Sequence, residues 1–248
     1  YMNNYSDTIG SLSGAGNVSL GSATLTTGGN NTSTTYSGVM FGTGSLVKNG
    51  SGKFILSGNN TYTGTTTING GDLQIGSGST SGVLGTGSVI MSNASDLIFN
   101  RSGTFSVANT ISGSGNFKKE GSSTLTLSGN NSYSGNNNVE AGTLIVTNNN
   151  SLGSSTNTGH VSTGAALDLK NVSVSLSNLY LYYKSLLRTS SGSSSLSGTV
   201  TLYSISGNNN IIDVATNAQL TLSGAVVAYS NSEVGIEKTG AGTLILTS

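Results

Sequence analysis

The feature that most constrains this chain is that it repeats itself. Residues Gly42 to Ile75 align without a gap on Gly113 to Val146, an offset of 71, and 14 of the 34 pairs are identical. The identities include Gly44/Gly115, Lys48/Lys119, Gly50/Gly121, Tyr62/Tyr133 and Gly64/Gly135. Leu56-Ser-Gly-Asn-Asn60 returns as Leu127-Ser-Gly-Asn-Asn131. A third copy opens at Lys238 and is cut short at Ser248, and a looser one runs from Gly14 to Asn31. Self-similarity of this kind marks a chain built from stacked supersecondary units.

Each copy holds three short runs, in the first near Lys53–Leu56, Thr65–Ile68 and Asp72–Ile75. Apolar and polar residues alternate in them, as in half-buried strands. Glycines and Asn-Asn pairs punctuate them, as turns require. One such unit cannot bury its own apolar face, so the units must stack. The reading is an all-β chain, a right-handed parallel β-helix (β-solenoid). Taking 71 residues as three coils of roughly 24 gives about ten coils in all. The chain has no Pro, which suits interior strands paired on both sides. Asn at the corners tolerates the left-handed conformation and can bond along the axis. A β-sandwich array or a propeller fits less well, since propeller blades run to roughly 40–45 residues. Asn178 to Arg188 alternates with period 2 and reads as a strand rather than a helix.

Composition narrows the function classes. Lys+Arg 9 balances Asp+Glu 9, so no basic excess exists to neutralise phosphates, and nucleic-acid binding is not expected. No Cys and a single His leave no thiolate or multi-His metal site. No apolar run is long enough to span a bilayer as a helix. Disorder is disfavoured, because 34% of residues are hydrophobic and the net charge is zero. Both ends read as cuts through a longer protein, so residues 1–248 are treated as one β-solenoid segment.

The pattern Gly-x-Gly-x-Leu-x-Lys-x-Gly-x-Gly, then Leu-Ser-Gly-x-Asn-x-Tyr-x-Gly and a closing Gly-x-Leu-x-Ile, resembles the passenger-associated transport repeat. Gly42 to Ile75 matches nearly every position, with Phe54 in place of a Leu. Gly113 to Val146 matches with Phe117 in place of a Leu and Ser123 in place of a Gly, and Lys238 to Thr247 matches the start. The resemblance implies a passenger segment of a Gram-negative autotransporter: extracellular, β-helical, and attached to the outer membrane only through a C-terminal barrel that this chain does not include. It also implies a role in passenger folding and export, a scaffold but no particular ligand.

Chemistry is sparse. Some parallel β-helices are polysaccharide-cleaving enzymes, which need clustered carboxylates. The nine acids, Glu233 among them, include no adjacent pair, and Asp168 and Asp213 sit in alternating strands where an outward, solvated place is expected. His160 is expected in an exposed polar loop. Gly70-Gly71-Asp72 is similar to a calcium-binding repeat but occurs once. No Gly-x-Ser-x-Gly elbow has a strand–turn–helix setting. No catalytic, metal or cofactor site is assigned, and no cofactor is implied.

Lys48, Lys119 and Lys238 recur at one motif position and read as exposed residues guarding a strand edge. Tyr62 and Tyr133 read as packing at their turns. The candidate contact patch is Tyr180, Tyr182, Lys184 and Arg188, the tyrosines pointing outward if Leu179 and Leu181 point in. Its alternatives are an outer-face aromatic ladder over neighbouring coils and burial under a loop. The functional expectation is a surface stalk for adhesion or cell–cell association, with glycans, proteins or another copy as partners. A toxin-like passenger segment or a surface-displayed glycan-active enzyme scaffold is the alternative.

Overall fold

A computed structural model describes residues 2, 4–203, 209–229 and 235–247; Glu233 and Ser248 lie outside the described residues. The described chain is all-β, with parallel strands stacked as a β-solenoid of about 11 turns. It divides into two compact units. The first is residues 1–103, 108–122 and 132–135; the second is 104–107, 123–131 and 136–248.

In the first unit, Asp7–Thr8, Thr24–Thr27, Ser45–Lys48, Thr66–Ile68, Val89–Met91 and Ile111–Gly113 form one parallel sheet in that order. A second sheet carries Thr34–Tyr36, Phe54–Leu56, Gly71–Ile75, Ser95–Asn100 and Asn116–Glu120. Alternation makes these strands: in Ser45–Lys48 the second and fourth residues are buried and the others half-buried. Unshifted register then stacks like on like. Leu25, Leu46, Thr66, Val89 and Ile111 form one inward column. Thr66 interrupts the aliphatic run, and its hydroxyl is satisfied by the Tyr62 hydroxyl at 2.7 Å. Phe54, Leu73, Leu97 and Phe117 form a second column. Phe117 also stacks on Tyr133, with centroids 6.3 Å apart.

In the second unit, Thr104–Val107, Thr124–Leu127, Thr143–Val146, Ala166–Leu169, Leu186–Thr189, Asn210–Val214 and Ile236–Thr239 form a seven-stranded parallel sheet. Its partner sheet includes Asn137–Val139, Thr158–Val161, Ser173–Tyr182, Ser193–Tyr203, Gln219–Leu222 and Thr243–Leu246. The stretch read as a strand from Asn178 to Arg188 is two strands, ending one sheet at Tyr182 and opening the other at Leu186. Lys184, with φ 59°, turns the corner between them.

The expected coil of roughly 24 residues is long only on average, since there are about 11 turns rather than ten and individual coils differ in length. Along the first sheet, Thr24, Ser45, Thr65 and Ser88 follow one another at intervals of 20 to 23 residues. A 71-residue offset is therefore not a whole number of coils. The strand Ser45–Lys48 of the first copy lies in the first sheet, whereas its equivalent Asn116–Glu120 lies in the second. The motif specifies a local path of strand, corner and strand, and that path serves at whichever face the chain has reached.

The Asn corners bond from coil to coil, mostly onto backbone. Asn60 is 2% exposed; its Oδ1 accepts the Met40 N–H at 2.9 Å, and its Nδ2 donates to Val83 O at 2.8 Å. A side-chain pair occurs where Asn150 Nδ2 donates to Asn130 Oδ1 at 2.9 Å.

Candidate functional site

The repeat's lysine is not where the sequence suggested. Lys48 and Lys119 are 1% and 0% exposed. Lys48 ends its strand and Lys119 stands next to last in its own, and each enters a Lys-x-Gly corner whose glycine is left-handed, as in the Lys238 copy: φ is 70° at Gly50, 70° at Gly121 and 69° at Gly240. That conformation favours Gly and turns the corner carbonyls back over the lysine. Lys48 Nζ donates to Asn49 O at 2.8 Å, Gly50 O at 3.0 Å and, from the next coil, Gly70 O at 3.0 Å. Lys119 Nζ reaches Glu120 O at 2.9 Å and Gly121 O at 2.8 Å. Lys238, which is exposed, makes the same pair with Thr239 O at 3.0 Å and Gly240 O at 2.7 Å. An ammonium has three N–H donors, and at Lys48 all three meet a carbonyl. This is why a cation can sit in the wall of the core. Burial pushes the Lys119 ammonium down to about 8, with Glu120 opposing the shift. Burial lowers Lys48 as well, against the pull of Asp72. The signal for this role was the threefold recurrence of Lys with Gly two residues on.

The structure brings together part of the candidate patch. Tyr180 and Tyr182 are half-buried on the outer side of Ser173–Tyr182, between the buried Leu179 and Leu181. They join a row of rings. His160 stacks on Tyr180 with centroids 4.8 Å apart, Tyr182 on Tyr203 at 4.9 Å, and Tyr203 on Tyr229 at 3.9 Å. Lys184 is exposed at the corner. Arg188 lies in the other sheet and is committed elsewhere: its Nε and Nη2 donate to Asp168 Oδ2 at 3.1 and 2.9 Å. The four residues therefore do not share one face.

His160 is not in a polar loop. It lies in Thr158–Val161, in register with Tyr180, and burial lowers its pKa. Asp168 is not solvated either; it is 0% exposed. Register places it beside Arg188 of the next coil, and its Oδ1 also accepts the Ser190 N–H at 3.0 Å. Asp213 is half-buried and accepts a bond from Thr239 Oγ1 at 2.9 Å. Tyr62 and Tyr133 are fully buried, and burial pushes the Tyr62 phenol up to about 12.

Stacking does unite two acids distant in sequence. Asp72 and Asp96 are register partners in adjacent strands. Each has its own lysine, Lys53 at 3.5 Å and Lys118 at 2.6 Å, so the row alternates into two ion pairs. Among the described residues no three of His, Asp and Glu converge as a metal site would need.

Comparison with known proteins gives two matches. The model of the passenger-associated-transport-repeat matches residues 46–75, 117–146 and 236–248. The adhesin BmaC autotransporter of Brucella suis biovar 1 (strain 1330) is 46% identical over 79 residues, which is 29% of this chain and 2% of that protein. The chain thus spans a very small part of the curated relative it matches. No solved structure matches it.

Proposed function

The chain carries three passenger-associated transport repeats, and from that premise we propose that it is a segment of an autotransporter passenger displayed on a Gram-negative cell surface. In this reading it is a non-enzymatic stalk whose repeats promote folding and export, within a protein that serves adhesion or cell–cell association.

The observation that carries the scaffold reading is the lysine corner. In three repeats the motif's cation is spent on backbone carbonyls of its own corner, and at Lys48 also on the next coil. The cation that recurs in the three copies is thus turned onto the fold. A corner that holds each arriving coil suits a chain that folds while it emerges, because a solenoid coil contacts only its neighbours. The adhesive part rests on the likeness to an adhesin autotransporter and on the outward aromatic row, since tyrosines are favoured contact residues.

The test excises one coil, Leu46 through Thr65, from the full-length parent; Leu46 and Thr66 are register partners, so stacking is preserved. Surface display by antibody labelling and adhesion per displayed molecule are scored separately. Display should fall while adhesion per displayed molecule persists. Full display with adhesion lost would mean that the segment is itself the contact surface and not an export scaffold.

A further inference from the structure

In the second unit the row of rings falls into two columns. Register runs one column through His160, Tyr180 and Thr201, and the other through Tyr182 and Tyr203. Val226–Ala228 pairs with the end of Ser193–Tyr203, Leu202 opposite Ala228, and the Tyr229 N–H donates to Leu202 O at 3.0 Å. Backbone pairing thus sets Tyr229 next to Tyr203 in the second column. Their ring centroids are 3.9 Å apart and the planes 24° from parallel, against 4.9 Å for Tyr182 on Tyr203. Aromatic pairs usually sit at roughly 4.5–7 Å, and paired strands at about 4.8 Å. These two rings are therefore closer than their strands. Tyr229 is 64% exposed, and Tyr203 is half-buried beside it.

A phenol is an electron donor, and this chain offers an oxidant little else. It has no Cys and no Trp, the side chains that would compete for a one-electron oxidant. Of its three methionines, Met40 and Met91 are buried, out of reach of the oxidants that make sulfoxide. Tyr36, Tyr62 and Tyr133 are buried as well. Tyr5 and Tyr183 are exposed but have no ring contact among the described residues. Of the exposed tyrosines described, only Tyr229 has a second phenol against its ring.

We infer that Tyr203 and Tyr229 form an oxidative cross-linking site, the oxidant being hydrogen peroxide used by a haem peroxidase. Each phenol gives up one electron and its hydroxyl proton. The two phenoxyl radicals join through the ring carbons ortho to oxygen. Each joined carbon then loses its hydrogen as a proton, which its own oxygen takes up through solvent, and the rings are restored. The chain loses two hydrogens in all, and the peroxide takes up two electrons and two protons to leave two waters. Tyr229 meets the oxidant. Ring contact passes the electron vacancy to Tyr203, which needs no access of its own. The new bond ties Val226–Ala228, a three-residue strand with two exposed positions, to the longer strand of the preceding coil. In a chain without Cys it is a covalent staple between coils that needs no disulfide. This goes beyond the stalk-and-export reading and does not depend on it.

The test treats the 248-residue chain in dilute solution with hydrogen peroxide and a haem peroxidase. The blue fluorescence of coupled phenols is read, and the product is mapped by mass. Cleavage after Arg188 and Lys238 and before Asp213 gives peptides 189–212 and 213–238, which hold one tyrosine each, Tyr203 and Tyr229. The expected product stays monomeric on a denaturing gel, with these two peptides joined and two hydrogens lighter than their sum. Tyr203→Phe and Tyr229→Phe keep the rings and should each abolish the link, while Tyr5→Phe keeps it. Circular dichroism confirms that each variant is folded. Peptides that stay separate in the oxidised parent chain, or coupling between chains in their place, would overturn the inference. So would undiminished fluorescence in a folded Tyr229→Phe chain, or a link that forms as fast in the urea-unfolded chain, because the fold would then not set the contact.

Discussion

At the scale of single residues, the fold rests on polar groups that look superficial in the sequence. The repeat's lysine was legible as a recurring position, but not its direction. A lysine closing an alternating strand reads as surface, and only the left-handed glycine two residues on supplies the carbonyls that let it turn inward. Lys48→Met keeps the aliphatic volume and removes the donors. It should cost about 1–3 kcal/mol in denaturant unfolding, the penalty for leaving partly buried acceptors unmet. Lys119 adds a pH signature. Its folded pKa is lowered from 10.5 to about 8 by burial, so the unfolded state holds the proton more tightly. Between about pH 8 and 10.5 the folded chain sheds the proton first, and stability should rise with pH relative to Lys119→Met. The Asp168–Arg188 pair gives an asymmetric prediction. Asp168 is 0% exposed, whereas the Arg188 side chain is 33% exposed. Arg188→Ala strands a buried carboxylate and should cost about 3–5 kcal/mol. Asp168→Ala frees a guanidinium that can reach water and should cost less. Equal losses in thermal unfolding would contradict that picture.

At the scale of elements, strand type was legible wherever alternation was clean. Phe54–Leu56, Thr124–Leu127 and Thr143–Val146 are all strands with alternating burial. Register was not legible, because it depends on the length of every corner. That is why the stacking of His160 on Tyr180, the pairing of Asp168 with Arg188 and the neighbourhood of Asp72 and Asp96 emerge only from the stacked coils. The candidate patch failed to close for the same reason: the corner at Lys184 sends Arg188 into a different sheet. Corner glycines are a matter of close approach as well as of turn shape. A Cβ on Gly64 would run into the carbonyl of Gly44 in the preceding coil, and the backbone cannot yield without parting the coils. Gly64→Ala should therefore destabilise by about 1–3 kcal/mol or more in denaturant unfolding, although it removes no contact.

At the scale of the whole molecule, the repeat and the coil have different lengths. Sequence alone shows the 71-residue offset, while the coils vary in length, from 18 residues between Asp7 and Leu25 to 26 between Ile212 and Lys238. The repeat is thus a portable corner rather than a layer of the stack, and parallel solenoid architecture could be read correctly while the coil count came out one short. In a nearest-neighbour stack the loss of one coil is a local loss. The chain lacking Leu46 through Thr65 should keep its β circular dichroism and a cooperative transition at a modestly lower Tm. Removing half of that stretch leaves one coil too short to close and should lower Tm more than removing the whole coil does.

The central claim is that the repeat's lysine corners serve the folding of an exported stalk. The most direct measurement replaces Lys48, Lys119 and Lys238 together by Met in the full-length parent and counts passenger molecules on intact cells by antibody labelling. The claim requires display to fall several-fold while adhesion per displayed molecule stays at the parent level. Undiminished display of the triple variant would contradict it.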